Sequence, residues 1–238
     1  MSAFYFGPLG HMVPLKVSAG VPVQAGRGFS EFVSSGGVRY VQSGRAAPRT
    51  WTVGRLWQGP DWVRLLSMAA HGMLPDCWLY EVAGARENML PAQSASGNGA
   101  PVLVGGLPLG GLPVGHVVQV PLLGGRTYSV SAWCEDDATM LSYQLEGEPS
   151  ETVQAVAGSG SASFTPVRDL LLTLTVTRAG VSGLRVCEGG FDGVFHPGYG
   201  TPCRVAVQDP SRVLQMLTDR SFSDFEVTLL EVGKPGSV

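Results

Sequence analysis

Apolar and polar residues alternate with a period of two along much of this chain, the pattern of strands with one buried face. The clearest case follows a Gly124-Gly125 turn: Tyr128, Val130 and Ala132 fall on one face, and Thr127, Ser129, Ser131 and Trp133 on the other. Leu172, Leu174 and Val176 alternate with Thr173, Thr175 and Thr177, and Val181 to Cys187 predicts a further strand. Nearer the start, Val38 to Gln42 and Arg49 to Trp57 alternate in the same way, with Trp51, Val53, Arg55 and Trp57 sharing a face. Cys77 to Val82, Met140 to Glu146, Cys203 to Val207 and Phe222 to Val232 also read as strands. Within Met140 to Glu146, Tyr143 is the core position and Gln144 points outward.

One segment changes period. Gly59-Pro60-Asp61 supplies a proline and an acid for a first helical turn, after which Trp62, Leu65, Leu66 and Ala69 recur at helical spacing until Gly72. Asp209 to Leu217 reads as a short helical turn with an acidic cap. Gly20 to Gly37 reads as a long loop of small residues that orders against a partner. Gly97 to Gly115 suits loops and short strands, and Ala157 to Ser161 a soft linker.

Composition narrows the class. Glycine (33) and proline (17) are abundant, yet 44% of the 238 residues are hydrophobic, so a core with many turns is expected rather than disorder. Charged residues are sparse (15%) and the net charge is -3, with no basic stripe for nucleic acid. No apolar run approaches the ~20 residues that span a bilayer. The first residues lack a basic start and apolar stretch, which predicts a protein made and folded in a cytoplasm. Cys77, Cys134, Cys187 and Cys203 are scattered, as are His11, His71, His116 and His196, so no zinc spacing appears.

Two resemblances emerge from ordered motifs. Glu87-Asn88-Met89-Leu90-Pro91, then Gly125-Arg126-Thr127-Tyr128 leading to Ser131-Ala132, then Leu184 to Gly190, resemble jelly-roll carbohydrate-binding modules. Phe6-Gly7-Pro8-Leu9-Gly10, the Arg49, Trp51 and Val53 strand, and the closing Asp224 to Gly233 strand resemble distal tail or minor tail proteins of long-tailed bacteriophages. The second resemblance implies an all-β chain in which a tail-tube-like domain of residues 1–86 and 199–238 is split by a jelly-roll sandwich at 87–198. It also implies a virion component at the tail tip: a ring, by family expectation a hexamer, that joins the tail tube to other baseplate proteins. The inserted module would face host surface polysaccharide.

Candidate chemistry follows. Trp133 lies among hydroxyl-bearing positions, so it reads as a stacking platform for a sugar, with Gln144 and Thr175 as hydrogen-bonding neighbours. The alternative is that Trp133 covers a sheet edge or packs under a loop. Glu135, Asp136 and Asp137 form an acidic turn that reads either as solvated or as a calcium site, with Asp136 and Asp137 the candidate ligands. Glu188 and Asp192 admit the same two readings. Phe29, Phe32, Arg45 and Arg49 are the candidate subunit contacts. No cofactor other than calcium is suggested. A monomeric lectin is the alternative function. A glycan-degrading enzyme, which needs two carboxylates about 5–10 Å apart, is the third reading. The chain carries no nucleophile elbow, phosphate loop or His-Glu-x-x-His helix, and a non-catalytic protein is expected.

Overall fold

The computed structural model describes residues 4–15, 23–24, 27–33, 39–46, 48–53, 60–156, 158–217 and 220–232. Strands β1 (Phe4–Pro8), β2 (Val13–Leu15), β3 (Val23–Gln24), β4 (Arg27–Val33), β5 (Arg39–Ala46) and β6 (Thr50–Val53) come first. Helix α1 (Pro60–Ala70) and strand β7 (Cys77–Glu81) follow, then two short helices, α2 (Val82–Glu87) and α3 (Ala92–Ala95). Next come β8 (Pro101–Val104), β9 (Leu107–Gly110), β10 (Val117–Leu122), β11 (Tyr128–Cys134) and β12 (Thr139–Leu145). They lead into β13 (Glu151–Gln154), β14 (Ser159–Phe164), β15 (Leu170–Val176) and β16 (Val181–Glu188). Two long strands, β17 (Cys203–Leu217) and β18 (Arg220–Glu231), end the described chain. The fold is all-β and antiparallel, with α1 where the helical period predicts it.

The chain forms two compact units, one of Ala3–Pro14 with Trp78–Cys203 and one of Leu15–Cys77 with Arg204–Val238. The central unit is a sandwich. A four-stranded sheet in the order β10-β15-β12-β13 faces a three-stranded sheet in the order β14-β11-β16. Only β12 and β13 are neighbours both in sequence and in space within these sheets, so the chain repeatedly crosses between layers, as jelly rolls do. Tyr128, Val130, Leu172, Leu174, Val176 and Val186 fill the space between, as their alternation predicts. Tyr143 joins them and stacks on Phe164 at 5.4 Å, while Gln144 is exposed. The unit extends beyond residues 87–198 at both ends, because β1, β7 and α2 contribute Tyr5, Tyr80 and Ala85 to the same core.

In the flanking unit β17, β18, β6 and β3 lie side by side. Strand β18 pairs antiparallel with β6, Val227 opposite Val53 and Leu229 opposite Trp51, and all four are buried. Arg49 fixes that register from the side. Its guanidinium pairs with Glu231 at 3.1 Å and lies 5.0 Å over the Trp51 ring.

Three local readings are corrected. Asp209 to Leu217 is not a helical turn but the continuation of β17, paired with β18. A register shift between Gln208 and Ser211 takes up Asp209 and Pro210, so the proline's missing N–H falls at a bulge. The Gly20–Gly37 segment is no plain loop: it holds β3 and β4, and β4 pairs with β5 as a hairpin. Ser159 to Ser161 belong to β14 rather than a linker. Gly160 is required there because a Cβ would stand 2.0 Å from the Gln154 carbonyl oxygen and 2.5 Å from Met140 Cε.

Candidate functional site

Every residue of β11 is buried. It is the middle strand of its sheet, so neighbours cover both edges, and its outer face is covered as well. Tyr128, Val130, Ala132 and Cys134 enter the sandwich core. Ser129 and Ser131 are each 1% exposed on the opposite side, where Ser129 Oγ lies 3.1 Å from Cys187 Sγ. Trp133, on that side too, is 6% exposed and packs with Val102 and Val104 of the β8–β9 hairpin. Phe191 and Phe195 meet it edge to face at 5.5 and 6.0 Å. Gly183 completes the nest, since a Cβ there would stand 2.7 Å from the indole.

The sugar-platform reading of Trp133 is therefore corrected: its ring faces are occupied by protein. The other two members of that reading do not join it. Gln144 and Thr175 lie on β12 and β15, in the opposite sheet, where Gln144 donates to the Glu148 carbonyl.

The strap over Trp133 is held by Arg185, whose side chain is 3% exposed. Its Nε donates to the Glu87 carbonyl at 2.7 Å, and Nη1 donates to the Val194 carbonyl at 2.9 Å and to Asp192. This bonding draws the Asp192 carboxyl far below the usual carboxylate range, with help from the Val194 N–H. His196 Nε2 lies 3.3 Å from the same carboxylate. Asp192 thus pegs the covering loop to Arg185 and to the Val194 N–H.

A second constellation lies at another part of the central unit. Arg126 Nη1 meets both Glu188 oxygens, at 2.8 and 2.7 Å, and Nη2 donates to the Tyr5 hydroxyl at 2.6 Å. Its guanidinium carbon stands 4.7 Å from the Tyr5 ring centroid and 5.7 Å from that of Tyr80. Tyr80 donates to Glu188 at 2.6 Å, the Tyr80 and Tyr128 hydroxyls are 3.3 Å apart, and the Leu123 N–H donates to Tyr128 at 3.0 Å. Burial works against the Arg126 charge, but the Glu188 hydrogen bond and charge outweigh it and raise its pKa. Burial pushes the Tyr128 hydroxyl up to about 12 and Tyr80 further still. Both phenols keep their protons near neutral pH, and their hydrogen bonds tie β7, β11 and β16 together. The network gathers positions 5, 80, 126 and 188, which have no common spacing in sequence, and only Glu188 among them is legible as a candidate.

The remaining sequence candidates are scattered. Asp136 pairs with Arg178 at 2.7 Å, and no group of three metal-ligating side chains converges on it or on Asp137 among the described residues. Phe29 and Phe32 sit on β4 and Arg45 on β5, with side chains outside the described residues. Arg49 pairs with Glu231 and lies over the Trp51 ring. Cys77, Cys134, Cys187 and Cys203 are all buried and unbridged. Among the described residues no helix is long and apolar enough to cross a membrane. No protein-family model matches the chain, and neither does any curated protein.

Proposed function

We propose that this protein is a non-catalytic structural component of a bacteriophage tail tip, a ring-forming subunit that links the tail tube to other baseplate proteins and carries an inserted β-sandwich. The observation that carries the reading is the β6–β18 ladder. Strands β6 and β18, far apart in sequence, complete one sheet, while Trp78–Cys203 together with Ala3–Pro14 forms the other unit. A domain split in this way is the organisation that the Arg49–Val53 and Asp224–Gly233 motifs suggest, whereas the Phe6–Gly10 motif falls in the central unit. The β4–β5 hairpin adds support. Its strands pair with each other and carry Phe29, Phe32, Val33, Tyr40 and Val41, and a two-stranded hairpin is marginal in water without cover. A neighbouring subunit supplies such cover in a ring.

The inserted sandwich serves in this reading as a spacer. Burial of Trp133 disfavours a lectin, because no aromatic platform remains at the position that suggested one. The test is the particle formed by the purified chain: deletion of residues 27–46 should abolish a ring while leaving the sandwich folded. Assembly that survives the deletion would remove the hairpin as the contact.

A further inference from the structure

The chain holds two asparagines, Asn88 and Asn98, and only Asn98 is followed by glycine. Asn98 is exposed at the base of the β8–β9 hairpin, whereas Asn88 is buried with its carboxamide bonded to backbone on both sides. That base is a clasp of glycines. The Gly97 N–H donates to the Gly110 carbonyl at 2.9 Å, the Gly99 N–H to the Gly111 carbonyl at 3.0 Å, and the Gly111 N–H to the Ala100 carbonyl at 3.0 Å. A Cβ on Gly110 would run into the Gly97 carbonyl oxygen, and one on Gly97 into that of Gly111, so only glycine permits this approach. Ser182 Oγ anchors the clasp to β16 by donating to the Gly110 carbonyl at 2.8 Å. Beyond the clasp, the hairpin lays Val102 and Val104 on Trp133.

An asparagine before glycine has a chemistry of its own, because no side chain shields the amide nitrogen that follows it. The Gly99 nitrogen attacks Asn98 Cγ: an N–Cγ bond forms, the nitrogen's proton passes to solvent, the Cγ–Nδ2 bond breaks and ammonia leaves. Water then opens the cyclic imide at either carbonyl. One water enters, one ammonia departs, and position 98 carries aspartate or isoaspartate. In the closed clasp the attacking nitrogen is engaged, since its N–H is held by the Gly111 carbonyl and the next residue, Ala100, is bonded to Gly111 as well. Ring closure therefore waits for local opening, and its rate follows the opened fraction.

We infer that Asn98-Gly99 is a modification site, a deamidation that the clasp holds back and that, once made, releases the clasp. Two features give the product that effect. The chain has no Asp, Glu, Lys or Arg between Glu87 and Arg126, so the new carboxylate brings a charge to a hairpin base that has none. Isoaspartate also adds a methylene to the backbone. Residues 97–100 then no longer match Gly110 and Gly111 in length, and the Gly99 N–H leaves its carbonyl. Loss of ammonia makes the change one-way, and the cover that Val102 and Val104 give Trp133 loosens with it. The site lies wholly in the central unit and operates with or without ring assembly.

The test incubates the full-length chain at mildly alkaline pH, folded and unfolded in guanidinium, and reads the mass gain at position 98 by peptide mapping. Folded wild type should convert at least about tenfold more slowly than the unfolded chain. Gly110→Ala should move the folded rate toward the unfolded one, and the milder Ser182→Ala, which removes the anchor alone, should move it the same way. Gly105→Ala, at the hairpin tip outside the clasp, should keep the wild-type rate. Converted protein, separated by its added negative charge, should show faster amide exchange over residues 97–111. Folded and unfolded chains that convert alike, or an unfolded chain that stays unmodified, would overturn the gated site. Converted protein with unchanged exchange would overturn the release of the clasp.

Discussion

The indole of Trp133 meets the ring of Phe191 edge to face at 5.5 Å, under a loop that Arg185 pins in place. A residue placed among hydroxyls in its strand is thus the centre of a satellite core. Replacing it with alanine should cost about 3–5 kcal/mol in urea unfolding, as truncation of buried aromatics generally does. A Trp133→Ala protein of unchanged stability would show that this nest carries little of the fold.

Arg185 should matter as much through its hydrogen bonds as through its charge. Arg185→Met leaves the Glu87 and Val194 carbonyls without their donor and should cost about 2–3 kcal/mol. It should also open residues 190–198 to protease, a change that limited proteolysis with mass spectrometry reads directly. Protection equal to wild type would mean that the aromatic contacts hold the strap unaided.

How much of this was legible in the sequence depends on how many faces of a strand are covered. Period-two alternation correctly assigns the inward set Tyr128, Val130, Leu172, Leu174, Val176 and Val186. The same rule fails for Ser129, Ser131 and Trp133, because small hydroxyl residues also suit a second buried face when a hairpin and a strap lie against it. The β6–β18 pairing was legible because each strand needs a facing layer. The Asp209–Pro210 bulge was not, since an acid followed by a proline also opens helices. The Arg126 network joins residues up to 183 positions apart, Tyr5 to Glu188, and long-range polar contacts leave no periodic trace.

The glycine clasp makes an ordered prediction. Gly110→Ala forces a Cβ into the Gly97 carbonyl and should destabilise the β8–β9 hairpin strongly, whereas Gly105→Ala meets nothing within 4 Å and pays only for its positive φ, about 1 kcal/mol. Amide exchange over residues 97–111 should rise far more in the first variant. Equal effects would mean that the close approach is relieved by a small backbone shift.

The tyrosine network predicts alkaline lability. Unfolded tyrosines lose their protons near pH 10, while burial holds Tyr128 protonated up to about 12 and Tyr80 beyond it. Above pH 10 the unfolded chain therefore binds fewer protons than the folded one. The stabilisation is complete below about pH 10 and is lost as pH rises towards 12. Tyrosinate absorbance should rise late and together with loss of near-ultraviolet dichroism. All six tyrosines ionising near pH 10 with the fold intact would contradict the buried network.

The account turns on assembly, and mass photometry combined with averaged electron images of the purified full-length chain tests it most directly. A ring with rotational symmetry, of about six 25.0 kDa subunits by family expectation, is the predicted result. A 25.0 kDa monomer that persists at micromolar concentration would contradict it.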